Sequence, residues 1–217
     1  DDPALMTGLS EDQTRYVSID AVNHVIEAAT TKTTSPYAVH LAIGTTWMVY
    51  KYLPIALKDP KNLKARYFLT YAALIAGLSF DNGLLHYTHA LEHPLSGVNP
   101  NLTHGLGLAM LLPAVIKQIY KAKPATLAEV LKPMIPGLKG TADEADLAAH
   151  GVEKWLFSVG ATRKLQDEGF TQADLEKLVC LAFETPSLGG LLALAPTQAS
   201  KDVVWTIYKE SLQPYSK

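Results

Sequence analysis

The sequence predicts an all-α fold, a multi-helix bundle, on three observations. Apolar residues recur at three- and four-residue spacing and almost never alternate over strand lengths. Prolines and glycines cut that pattern into segments of helix length. With 48% hydrophobic residues over 217 positions, the chain holds enough apolar surface for a substantial core.

The elements follow in order. A polar approach, Ser10 to Arg15, leads into a helix from about Ser18 to Ala29, and Ser35-Pro36 is N-cap and N1 chemistry for a long helix ending near Lys58. A third helix spans about Lys61 to Phe80. The segment from Asn82 to Leu95 predicts a fourth, ended by Pro94 and Gly97. Asn99-Pro100-Asn101 is turn chemistry before a fifth helix, Leu102 to about Lys121, which Pro113 is expected to kink. Further helices are expected at Pro124 to Met134, Thr141 to Asp167, Thr171 to Phe183 and Ser200 to Leu212. Loops centre on Pro136-Gly137, Gly169 and Pro196-Thr197.

Composition excludes several function classes. The formal net charge of -2 and the scattered lysines leave no electrostatic footprint for nucleic acid. One cysteine, Cys180, excludes an internal disulfide framework and a Cys-rich zinc site, and makes the cytoplasm the expected compartment. The longest apolar runs, Tyr71 to Phe80 and Leu106 to Ile116, fall far short of the ~20 residues that span a bilayer, so no membrane partner is expected. The opening DDPALM lacks an initiator methionine, which points to a processed product or a fragment.

Four of the seven histidines fall between Gly83 and Gly105: His86, His89, His93 and His104. Residues 86, 89 and 93 are spaced i, i+3 and i+7, one stripe of a helix. Three imidazoles on an otherwise apolar helix are hard to satisfy without an ion or water, so the stripe points to metal chemistry. His104 sits just after the turn, where the chain can fold it back toward the stripe. Upstream, Asp20 and His24 are i and i+4, one turn apart, and can hold one ion together. Isolated histidines such as His40 and His150 read as ordinary helix-surface side chains.

These segments resemble the helical, metal-binding C-terminal half of the iron-containing, group III alcohol dehydrogenases. The resemblance begins at the N-terminal DDP, takes in IDAVNHVIEA and a Ser-Pro-Tyr-Ala helix start, and peaks at SFDNGLLHYTHALEHPLSG and THGLGLAMLLPAV. It is good to about residue 120 and diffuse beyond. Carried over residue by residue, it implies Asp20, His24, His89 and His104 as ligands of Fe2+ or Zn2+. His93 matches a histidine that lies near the nicotinamide and the reacting carbon, which implies a catalytic, proton-relaying or positioning role. Spacing alone would instead pair His89 with His93. Three departures stand out: His86 where the family often has a small residue, Glu92 where it often has alanine, and a His93 to His104 interval one residue longer than usual.

The resemblance implies an NAD- or NADP-dependent oxidoreductase acting on a small-molecule alcohol or aldehyde, and leaves a homo-oligomer open as partner. The family's glycine-rich nucleotide motif is not found: Ser187-Leu188-Gly189-Gly190 and Gly105-Leu106-Gly107 lack the strand-then-helix context. Residues 1–217 are thus expected to be one helical metal-binding domain, without the N-terminal nucleotide-binding domain and inactive alone. Two rivals exist. His89-Ala-Leu-Glu-His93 also fits the H-x-x-E-H pattern of zinc metallopeptidases, a fold that needs a sheet and a distal glutamate ligand. The other is a stand-alone helical module, metal-binding or metal-free. Tyr87, Phe80, Leu85 and Val98 lie near the histidines and could line an apolar pocket, with core packing expected for most of them.

Overall fold

Local sequence chemistry starts most of the helices. In the computed structural model, which describes residues 2–215, α1 (Glu11–Thr30) begins where the Ser10 side chain accepts from the Gln13 amide, with Glu11 and Asp12 favouring the positive helix end. This start lies earlier than Ser18, because the polar approach is itself the first turn. Ser35 caps α2 (Pro36–Lys58) and Asn62 caps α3 (Leu63–Gly83) in the same way. Then follow α4 (Tyr87–Val98), α5 (His104–Tyr120), α6 (Pro124–Leu131), α7 (Ala145–Ser158), α8 (Leu175–Glu184), α9 (Leu188–Leu194) and α10 (Lys201–Glu210). Short 3-10 turns fill residues 3–8, 142–144, 165–168 and 172–174, and no strand occurs among the described residues. The fold is all-α.

Several expected boundaries are corrected. Asn82 and Gly83 close α3 rather than open α4, and Pro94 lies inside α4, buried against the core, instead of ending it. Pro54 and Pro113 sit within α2 and α5, as expected. The helix expected over 141–167 is only α7, because the chain turns at Gly160, whose φ of 84° ordinary residues avoid. Arg15 of α1 seals that end by donating from Nε to the Val159 carbonyl at 2.7 Å. Helix α9 falls between the helices expected at Thr171 to Phe183 and Ser200 to Leu212, where none was expected; its end is tied to the α1–α2 turn by Lys32 N–H donating to the Leu194 carbonyl at 2.9 Å. Asp1, where the resemblance begins, lies outside the described residues.

Helices α1, α2 and α3 pack on one another, and α5 joins this group to the rest through α1, α4, α7 and α10. One continuous core runs through Ile19, Val22 and Ile26 of α1, Val49 and Leu53 of α2, Leu91 and Leu95 of α4, and Leu111, Leu112 and Val115 of α5. Between α3 and α4 the chain turns by 107°. No single helix among the described residues is long and apolar enough to cross a membrane.

Candidate metal centre

Helix α1 carries Asp20, His24 and Glu27 at i, i+4 and i+7, one stripe of its surface. Helix α4 carries His89, Glu92 and His93, and His104 is the first residue of α5. Glycine permits the approach of these elements. A Cβ on Gly105 would overlap the Tyr16 carbonyl, so α5 starts directly against α1; one on Gly107 would lie 2.7 Å from Cγ of Glu92.

Asp20, His89 and His104 each offer a ligand atom, all within 4.8 Å of one another. His24 joins them: its Nδ1 lies 2.9 Å from Oδ1 of Asp20, and its ring centroid lies 4.5 Å from that of His89. His89 Nε2 is 3.3 Å from the same Asp20 oxygen. Three of the four residues named by the resemblance therefore bring ligand atoms together, with His24 beside them, although the four come from three helices and span 85 positions. His93 is exposed at the edge, its ring 5.9 Å from His104, and with Glu92 and His104 it forms a second triple within 4.8 Å. One carboxylate with three imidazoles is a donor set that suits a divalent transition metal, so the residues fit the ion that the sequence implies.

The expected stripe of 86, 89 and 93 is corrected. His86 lies outside α4 as its N-cap, fully buried, with Nδ1 accepting from the Tyr87 amide and Nε2 2.9 Å from Oγ1 of Thr30. Sequence reading missed Glu27. Its fully buried carboxylate accepts from His89 Nδ1 at 2.6 Å and from the Thr88 amide, and lies 3.4 Å from Nδ1 of His86. The signal was present in Asp20-x-x-x-His24-x-x-Glu27, a third polar group on the same face of an apolar helix. Glu92, also fully buried, is hydrogen-bonded to His104 Nδ1 and accepts from Ser96 Oγ at 2.5 Å.

The electrostatics favour positive charge here. Burial alone would raise Asp20, but hydrogen bonds from His24 and His89 outweigh it and hold the carboxyl below the usual range. Burial likewise opposes Glu27, yet His86, His89 and the Thr88 amide bring it down to about 2. For His89, burial is overcome by the Glu27 and Asp20 carboxylates, which raise it to about 9. His86 goes the other way, since burial outweighs the attraction of Glu27 and leaves it lowered.

Of the apolar neighbours, Tyr87 and Leu85 belong to the buried interior, whereas Phe80 is exposed and its ring lies 5.7 Å from that of His24. An open groove of about 280 Å³ reaches Asp20 and His24 between α1 and α3, lined also by Val17, Ala73 and Gly77. Val17 and Ala73 are shared with a second, mostly apolar groove of about 280 Å³ whose walls include Met6, Leu9, Leu69 and Leu74.

Residues 14–212 match the family described as Fe-containing alcohol dehydrogenase family, C-terminal. The chain belongs to the iron-containing alcohol dehydrogenases. It is 57% identical over 211 residues to the long-chain primary alcohol dehydrogenase AdhA of Thermoanaerobacter ethanolicus, covering 97% of this chain and 53% of that protein. It is 33% identical over 185 residues to 1,3-propanediol dehydrogenase of Citrobacter freundii, covering 84% of this chain and 48% of the relative. The crystal structure of a 1,3-propanediol oxidoreductase aligns with TM-score 0.87 at 28% identity, over 97% of this chain and 54% of that one. This iron-containing alcohol dehydrogenase chain thus spans about half the length of the relatives it matches. The H-x-x-E-H peptidase alternative lacks its sheet among the described residues, and its glutamate is engaged by His104 and Ser96.

Proposed function

We propose that this chain is the metal-binding half of an NAD- or NADP-dependent dehydrogenase for primary alcohols or their aldehydes. The convergence of Asp20, His89 and His104 within 4.8 Å, with His24 beside them, carries this reading. Asp20, His24, His89 and His104 would hold a divalent ion, Fe2+ or Zn2+, each by one side-chain atom. When bound, the ion supplies Lewis acidity toward an alcohol or aldehyde oxygen. His93, exposed at the rim 5.9 Å from His104, is available to orient the substrate or pass its proton to solvent. The nicotinamide that accepts hydride would be held by an α/β half like that of the family. The grooves support a primary alcohol as substrate class: apolar walls from Val17, Ala73, Leu69 and Leu74 lead away from Asp20, which suits the tail of such an alcohol and agrees with the name of the AdhA relative.

The purified 217-residue chain is expected to bind about one divalent ion per molecule and to oxidise no alcohol with NAD or NADP. Asp20→Ala should weaken the ion at least tenfold in a chelator-competition titration. Alcohol oxidation by the chain alone, or metal binding indifferent to Asp20→Ala, overturns the reading.

A further inference from the structure

Every imidazole of the candidate centre has its Nδ1 engaged by an oxygen. His24 Nδ1 lies 2.9 Å from the Asp20 carbonyl, His89 Nδ1 lies 2.6 Å from Glu27 Oε2, and His104 Nδ1 is bonded to Glu92 Oε2. A neutral imidazole that donates from Nδ1 must present Nε2 as its lone pair, so these contacts set both the tautomer and the ring direction. For His89, Nε2 points at Asp20, 3.3 Å away, where a bound ion would displace the proton that it shares with that carboxylate.

We propose that Glu27 and Glu92 are positioning carboxylates that fix His89 and His104 as Nε2 ligands. This rests on the metal reading above and adds two residues that the ligand set does not contain. Both carboxylates are fully buried, where an ionised group without strong partners is costly, so their placement calls for a partner in the site. Each finds one in an imidazole N–H. Both are also held from behind: Glu27 by the Thr88 amide, Glu92 by Ser96 Oγ at 2.5 Å. Gly107 leaves the space that Glu92 occupies, since a Cβ there would lie 2.7 Å from Cγ and 2.8 Å from Oε1 of that side chain. A carboxylate behind a ligating histidine strengthens the imidazole as a donor and removes the freedom of the ring to swing away. The centre would then carry three carboxylates around one divalent ion, only one of them touching it.

The competing arrangement places the ion directly on Glu92, His93 and His104, whose ligand atoms also lie within 4.8 Å. The two arrangements differ at His93. The test titrates the 217-residue chain and its variants with Zn2+ and with Co2+ against a competing chelator, records the visible Co2+ bands, and checks helix content by circular dichroism. Glu92→Gln and Glu27→Gln are each expected to weaken the ion about 10- to 100-fold and to shift the Co2+ bands, with helix content kept. His93→Ala is expected to change neither. A parent-like affinity and spectrum for Glu92→Gln, with Asp20→Ala still weakening the ion, overturns this inference and spares the metal reading. Equal loss in Glu92→Gln and His93→Ala overturns it as well and makes Glu92 a ligand. Absence of metal binding by the parent overturns both. Should Glu27→Gln unfold through loss of its bond to Thr88, Glu92→Gln decides alone, because Glu92 caps no helix.

Discussion

At the residue scale, the centre depends on a residue that has no side chain. Gly105 follows His104 and puts α5 against the backbone of α1 at Tyr16, where any Cβ would overlap the Tyr16 carbonyl. In Gly105→Ala, backbone must shift, since no flexible side chain is there to give way. Alanine gains up to ~1 kcal/mol of helix propensity, but overpacking typically costs about 1–3 kcal/mol. We expect a net loss of stability in urea unfolding together with weaker metal binding, because His104 moves with the start of α5. Unchanged stability and affinity would show that α1 and α5 tolerate the added methyl. The same scale shows what the sequence could convey. The family resemblance singles out Asp20, His24, His89 and His104, and helix spacing puts Glu27 on the face of Asp20 and His24, whereas the pairing of Glu27 with His89 and of Glu92 with His104 follows no spacing rule across 62 or 12 positions. His86 misled for the opposite reason: its spacing fitted the stripe, but the helix begins one residue after it.

At the element scale, the join between α3 and α4 is strained where the site is built. Leu84 has φ 67° and ψ 168°, a region that is essentially glycine's, and its side chain is 42% exposed. Its conformation follows from its neighbours: Leu85 is buried, His86 must cap α4 from a fully buried position, and the two helices turn by 107°. Leu84→Gly should relieve a strain of about 1–3 kcal/mol while adding roughly 0.5–1 kcal/mol of unfolded-state entropy. A net gain near 1 kcal/mol is expected, read as a rise in Tm of a few degrees. A fall in Tm would mean that the Leu84 side chain contributes more packing than its exposure indicates. Sequence periodicity places most helices within a few residues but misreads one proline. Pro94 was read as a stop, yet it is buried in α4, where core packing outweighs one lost backbone bond. The end of α7 was invisible for a related reason, since its partner Arg15 lies 144 positions away.

At the scale of the whole molecule, tyrosine hydroxyls tie distant elements together. Tyr208 of α10 donates to the Leu91 carbonyl of α4 at 2.8 Å, and Tyr120 of α5 donates to Glu144 Oε2 at 3.2 Å. Both side chains are fully buried. Burial, reinforced by the Glu92 charge, pushes Tyr208 well above the ordinary phenol range, and burial with the neighbouring Glu144 does the same for Tyr120. The sign follows from linkage. Below the unfolded-state value near 10 both states keep the proton, so the stabilisation is fully present. As pH rises past ~10, the unfolded chain releases protons that the folded chain retains, and each such tyrosine removes up to ~1.4 kcal/mol of stability per pH unit. Stability should therefore drop steeply above pH ~10, with phenolate absorbance from these two residues appearing only together with loss of helix. Tyr208→Phe should lower the stability at neutral pH by ~1 kcal/mol for the lost hydrogen bond and flatten the alkaline decline. Equal alkaline slopes for parent and Tyr208→Phe, measured by urea unfolding from pH 8 to 11, would show that this hydroxyl titrates freely in the folded chain. They would also mean that the tie between α10 and α4, the helix that carries His89 and His93, opens without unfolding.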